Sequence, residues 1–172
     1  MPRRESGRTE RLVQLALLTS AALIIFVIEQ QIPNPVPIPG AKLGLANIIT
    51  VYAVHHYRPH EVLALLLTRI FLGSVFGGTF MSVTMIFSLS GGMLCLAGML
   101  LLKPLLGEKN IWLGSIFGAV FHNTGQTIAA IFVMKTAAVV SYFPFLVLTG
   151  CIAGAFTGLT AQMIVGRVRP KH

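Results

Sequence analysis

The chain has 172 residues, of which 55% are hydrophobic and only 10% charged, and its net charge is +8. A soluble domain carries about 25% charged residues, whereas the apolar residues here fall in runs of about 20, the length a helix needs to cross a hydrocarbon core of about 30 Å. A soluble enzyme is excluded; so is a nucleic-acid-binding domain, because the basic residues sit at short ends and loops rather than on a face interleaved with stacking aromatics, and so is a membrane β-barrel, because alternating segments of about ten residues are missing.

The pattern predicts an all-α integral membrane protein with six transmembrane helices. The first span runs from about Leu12 to Ile28 and ends at Glu29. Arg3, Arg4, Arg8 and Arg11 precede it like the n-region of a signal peptide. The run is too long for such a segment, however, and no small-residue cleavage site follows, so it reads as a retained span. Ala16 and Ser20 share one face of this helix, with Ala21 and Ala22 beside them. That small-residue patch fits packing within the bundle or docking of another membrane subunit.

Next comes Pro33-Asn34-Pro35-Val36-Pro37-Ile38-Pro39-Gly40. Four prolines in seven residues cannot continue a helix, because each lacks an N–H and fixes φ. Gly40 allows a reversal, and Lys42 and Asn47 then lead back into apolar sequence. A stiff segment followed by a lysine at a helix start reads as a lid over a binding site, so Pro33, Pro35, Pro37, Pro39 and Gly40 are candidate gating residues; the plain alternative is a connector.

The second span is short, about Leu43 to Tyr57. The third covers about Val62 to Phe80, the fourth Val83 to Leu102, the fifth Ile111 to Met134 and the sixth Phe143 to Val165. His55, His56 and His60 cluster at the end of the second span, but Pro59 breaks the spacing a metal site needs. Tyr57 and Trp112 read as interfacial anchors. Cys95 and Cys151 lie inside apolar runs and read as free thiols. The chain thus divides into a basic tail at 1–11, one membrane domain over 12–166 with an outward proline-rich loop at 32–41, and a basic tail at 167–172.

Lysine and arginine placement sets the orientation. With the N-terminus inside, ten basic residues fall on cytoplasmic segments, among them Lys103 in the loop from Lys103 to Asn110, and only Lys42 and Lys135 fall outside, with Arg69 within a span. Both termini are therefore expected in the cytoplasm of a cell whose plasma membrane holds the protein.

Three spans carry rows of small residues stepping by four: Arg69, Gly73 and Gly77; Gly114, Gly118, His122 and Gln126; Gly150, Gly154, Gly158 and Gln162. Such rows let helix backbones approach closely in lipid. A packed row that also carries arginine, histidine or glutamine faces inward. An arginine at the depth of Arg69 costs at least about 2.5 kcal/mol on insertion scales, so it needs a partner, for which Glu29 is one choice, or a water-filled cavity. The candidate substrate-binding residues are Lys42, Asn47, Arg69, His122, Asn123 and Gln126, expected to converge on one outward-open cavity. That set is rich in cations and amides and poor in carboxylates, which suits an anionic small molecule.

No catalytic apparatus is expected. The sequence has no aspartate for an aspartate-rich magnesium site, and no P-loop, nucleophile elbow or zinc-ligand spacing. No cofactor or metal is called for, and an energy source other than an ion gradient has to come from another chain.

The run Pro37 to Ile48, the segment Arg69-Ile70-Phe71-Leu72-Gly73 and the segment Phe121-His122-Asn123-Thr124-Gly125-Gln126 resemble the Gx transporter family, also labelled heptaprenyl diphosphate synthase component I. Such proteins are similar to the substrate-binding S components of energy-coupling factor (ECF) transporters. The resemblance implies six helices, cytoplasmic termini, an outward loop over the ligand, and work with a transmembrane coupling subunit and ATPases. S components present an alanine-x-x-x-alanine face on the first span, and here Ala16 with Ser20 stands in that place. The synthase label implies a second reading, a noncatalytic membrane subunit serving heptaprenyl diphosphate synthesis or a quinone- or flavin-linked redox complex.

Overall fold

The computed structural model describes residues 3–31, 44–107 and 110–168. Among them all regular structure is helical: α1 (Arg3–Gln31), α2 (Asn47–His56), α3 (Pro59–Phe76), α4 (Val83–Leu106), α5 (Ile111–Met134) and α6 (Phe143–Val168), with a 3₁₀ segment, Ala137–Tyr142, leading into α6. The basic N-terminal stretch is helical from Arg3 and continuous with the first span.

Five helical segments are long and apolar enough to cross a membrane, from α1, α3, α4, α5 and the α6 region. The second expected span is not among them. Its helix has ten residues, about 15 Å at 1.5 Å per residue, half a hydrocarbon core. Both ends have local causes. Gly44 takes φ 70° and turns the chain before α2, a conformation a helix interior cannot hold. At the other end Arg58 precedes Pro59 and is extended, at φ −75° and ψ 151°, as the proline ring demands. Pro59 then starts α3, where its missing N–H costs nothing.

This half-length helix lies in the core. Val51 is 2% exposed and Ala53 and Val54 are fully buried, in one apolar cluster with Val62, Leu66, Ile111 and Ala161 from α3, α5 and α6. Lys103, expected in a cytoplasmic loop, lies inside α4 and donates its Nζ to the Val54 carbonyl at 2.7 Å. It thereby satisfies one of the last carbonyls of α2 and places a cation at the negative end of the helix.

The α6 glycine row does the expected work against α5, while Gly118 of the α5 row packs on Met99 and Cys95 of α4. A Cβ at Gly158 would lie 2.6 Å from the Trp112 Cα, and one at Gly154 2.9 Å from the Ile116 Cα. Backbone meets backbone there, the close approach that small residues permit in lipid. Ser115 and Thr157 share a hydrogen bond of 3.0 Å in the same seam. The outside is apolar: Phe132 is 78% exposed and Ile152 66%, as a lipid-facing surface requires and a water-facing one does not allow.

α1 lies at the edge and is held at both ends. Near its start, Arg11 pairs with Glu61 at 2.7 Å, and Tyr57 donates to Gln14 at 3.3 Å. Near its finish, the Phe26 ring covers Gly73, where a Cβ would come within 2.5 Å of the ring.

Candidate functional site

α3 carries Arg69 on its inner face, 6% exposed. Its Nη1 donates to Asn47 Oδ1 at 3.2 Å. Asn47 is the first residue of α2, so this amide and the guanidinium meet at the positive end of a helix that stops inside the bundle. Arg69 Nε is buried and has no hydrogen-bond partner among the described residues; neither has Thr50 Oγ1, one turn further along α2.

A carboxylate partner for Arg69 is missing among the described residues, where the one ion pair is Arg11 with Glu61. Glu29 is buried but accepts the Gly44 N–H at 2.5 Å, bracing the turn that starts α2. Glu29 still acts on the Arg69 charge from a distance, but among the described residues the guanidinium's hydrogen bond goes to a neutral amide.

On α5, His122 and Gln126 stand one turn apart on one face, with Gln126 Nε2 3.0 Å from His122 Nε2. An amide nitrogen only donates, so the histidine nitrogen accepts and a neutral His122 carries its proton on Nδ1. Gln126 Oε1 is buried with no hydrogen-bond partner among the described residues. Asn123 takes a different role. Its Nδ2 donates to the Leu146 carbonyl at 2.5 Å, tying α5 to α6 beneath Gly150.

α4 relates the two polar pairs. A Cβ on Gly91 would lie 2.8 Å from Gln126 Cγ and 2.9 Å from the His122 carbonyl oxygen, while one on Gly92 would meet Ile70 and Leu66, which flank Arg69 on α3. Gly91 and Gly92 are adjacent, so the His122–Gln126 pair and the α3 residues Leu66 and Ile70 meet α4 at one level. Adjacent residues on a helix point about 100° apart, so these contacts fall on neighbouring faces of α4, not opposite ones. No contact between the two polar pairs is seen among the described residues. Lys42, Pro33, Pro35, Pro37, Pro39 and Gly40 lie outside the described residues.

Two large clefts lie elsewhere. One, of 940 Å³, separates α1 from α3 and is lined by Ala16 and Ser20, with Ala64 and Thr68 facing them. The other, of 740 Å³, lies between α1, α2 and α6. Ala16 and Ser20 thus face outward along a groove, and are not packed in the interior.

Thr50 escaped the sequence reading. Thr50 sits three residues after Asn47, a spacing that shares a helix face, and that was the available signal. His55 and His56 each direct Nδ1 to the carbonyl four residues back, Val51 and Tyr52.

These features define a multi-pass helical membrane protein with a guanidinium sunk in its interior. Over residues 18–164 the sequence matches the family described as heptaprenyl diphosphate synthase component I, and the chain belongs to that family. No curated protein and no solved structure matches it.

Proposed function

We propose that this chain is the substrate-binding subunit of a membrane uptake system, of the S-component kind, for a small anionic molecule. Arg69 supplies the charge, Asn47 and Lys42 the neighbouring donors, and His122 with Gln126 the second wall. The segment with Pro33, Pro35, Pro37, Pro39 and Gly40 gates the site, and the end that carries Arg11, Arg58 and Lys103 is cytoplasmic. A separate ATP-driven module, docked on the face with Ala16 and Ser20, drives transport.

The observation that carries this reading is the burial of Arg69 with no ion-pair partner among the described residues. Glu29 acts on its charge only from beyond ion-pair distance, and a buried charge so placed is destabilising unless something completes it. A ligand carboxylate or phosphate does so with bidentate hydrogen bonds. Purification of the full chain from its native membrane tests the assignment: an ATPase and a transmembrane coupling protein should copurify.

The family description favours a second reading, a noncatalytic membrane subunit associated with heptaprenyl diphosphate synthesis. In that case a soluble prenyl synthase copurifies instead.

A further inference from the structure

The cleft between α1, α2 and α6 differs in chemistry from the Arg69 region. One wall is aromatic and polar. Tyr52 and His56 stack with ring centroids 4.3 Å apart and planes 16° apart, and Tyr57 and Gln14 stand beside them. His56 directs Nδ1 to the Tyr52 carbonyl at 3.1 Å. A carbonyl only accepts, so Nδ1 holds the proton and the Nε2 of a neutral His56 remains an acceptor. The Tyr52 side chain adds a phenolic hydroxyl to this wall.

The other wall is branched aliphatic: Leu17, Leu18, Ile48, Ile49 and Ile164. Leu17 is 65% exposed and Ile164 38%, so the cleft opens sideways to the bilayer. Its volume, 740 Å³, lies within the range of about 300–1,000 Å³ usual for ligand sites.

The charge balance argues against an acidic headgroup. Arg11 on the rim is neutralised by Glu61 at 2.7 Å and rests 5.6 Å from the centre of the Tyr57 ring, while Glu10 adds a negative charge to the same rim. What remains is a flat face, a hydroxyl, a nitrogen acceptor and an aliphatic trough.

We propose that this cleft binds a neutral prenyl-tailed aromatic ring, a quinone or quinol drawn from the bilayer. The ring lies against Tyr52 and His56, a quinol hydroxyl donates to His56 Nε2, the Tyr52 hydroxyl donates to a ring oxygen, and the prenyl chain runs along Leu17, Ile48 and Ile164. The site is separate from Arg69 and stands whether or not the transport reading does.

The test uses the full chain in nanodiscs with a photoreactive naphthoquinone bearing two isoprene units. Labelling should map to the 14–18 and 48–57 segments. The double variant Tyr52→Leu/His56→Leu should label with an affinity about tenfold lower, the loss of a ring stack and a hydrogen bond. Ile49→Trp, which fills the trough and leaves the ring wall intact, should reduce labelling as well. A melting curve confirms that each variant is folded. Removing the prenyl chain from the probe should weaken labelling. Label spread evenly over the exposed faces of all helices, or unchanged in both variants, overturns the proposal, as does equal competition by a phospholipid.

Discussion

Arg69 and Asn47 meet through a single hydrogen bond of 3.2 Å, a guanidinium on a full-length helix against the first residue of a half-length one. The bond leaves Nε without a partner among the described residues, in a side chain 6% exposed. Glu29 acts on this charge only from beyond ion-pair distance and a neutral amide does not cancel it, so the ligand-free protein holds a destabilising group in its interior.

That cost gives stability and binding opposite signs at this position. Arg69→Met keeps the volume and removes the charge. It should raise the stability of the ligand-free protein by about 1–4 kcal/mol, as replacements of buried ionic groups by apolar ones do. The same variant should lose affinity for the anionic ligand by at least about 30-fold, the lower range for truncating one partner of a buried charge pair. Thermal melts in detergent and native mass spectrometry read the two effects separately.

Gly91 carries the second polar pair. A side chain there meets Gln126 Cγ and the His122 carbonyl within 3 Å. Gly91→Val should displace both residues at a folding cost of about 1–3 kcal/mol. Ligand retention should fall while purified yield and helix content by circular dichroism persist.

The α5–α6 seam distinguishes two glycines that look alike in sequence. Gly158→Ala puts a Cβ 2.6 Å from a backbone atom of Trp112, whereas the nearest atom to one at Gly114 is Leu106 Cδ1, at 3.7 Å. The first substitution should lower stability by about 1–3 kcal/mol. The second should be neutral or raise stability by up to about 1 kcal/mol, through the better helix propensity of alanine. Melting temperatures of the two variants in one detergent check the contrast.

At the start of α3, Glu61 works twice. It accepts from Arg11 at 2.7 Å and from its own cap position, the Arg58 N–H, at 2.7 Å. Glu61→Ala removes an ion pair and a helix cap and should cost about 1–2 kcal/mol. Arg11→Ala removes only the pair and should cost less than about 1 kcal/mol. Denaturation of both single variants and the double variant gives the coupling.

Much of the bundle was legible in the sequence because lipid makes the rules simple. The fifth helix begins and ends where the apolar run does, at Ile111 and Met134. The row Gly150, Gly154 and Gly158 faces α5 as its spacing implies. Hydropathy could not locate the start of α2, since Leu45 and Ala46 are as apolar as the residues that follow; the helix starts late because of the backbone turn at Gly44. Positive-residue counting put Lys103 in a loop, but a long aliphatic stem lets its ammonium reach the Val54 carbonyl from inside α4. The polar residues were recognised as inward-facing, while their grouping was not: Asn123 is committed to Leu146, and Arg69 bonds to Asn47 and not to Glu29. Such choices depend on which helices are neighbours, which residue type and spacing do not encode.

The most direct measurement is native mass spectrometry of the chain after mild extraction from its own membrane, beside the Arg69→Met variant. A small anionic molecule should travel with the parent protein and be lost from the variant, which remains folded. An empty parent protein, or an adduct that survives intact in the variant, would contradict the role given to Arg69.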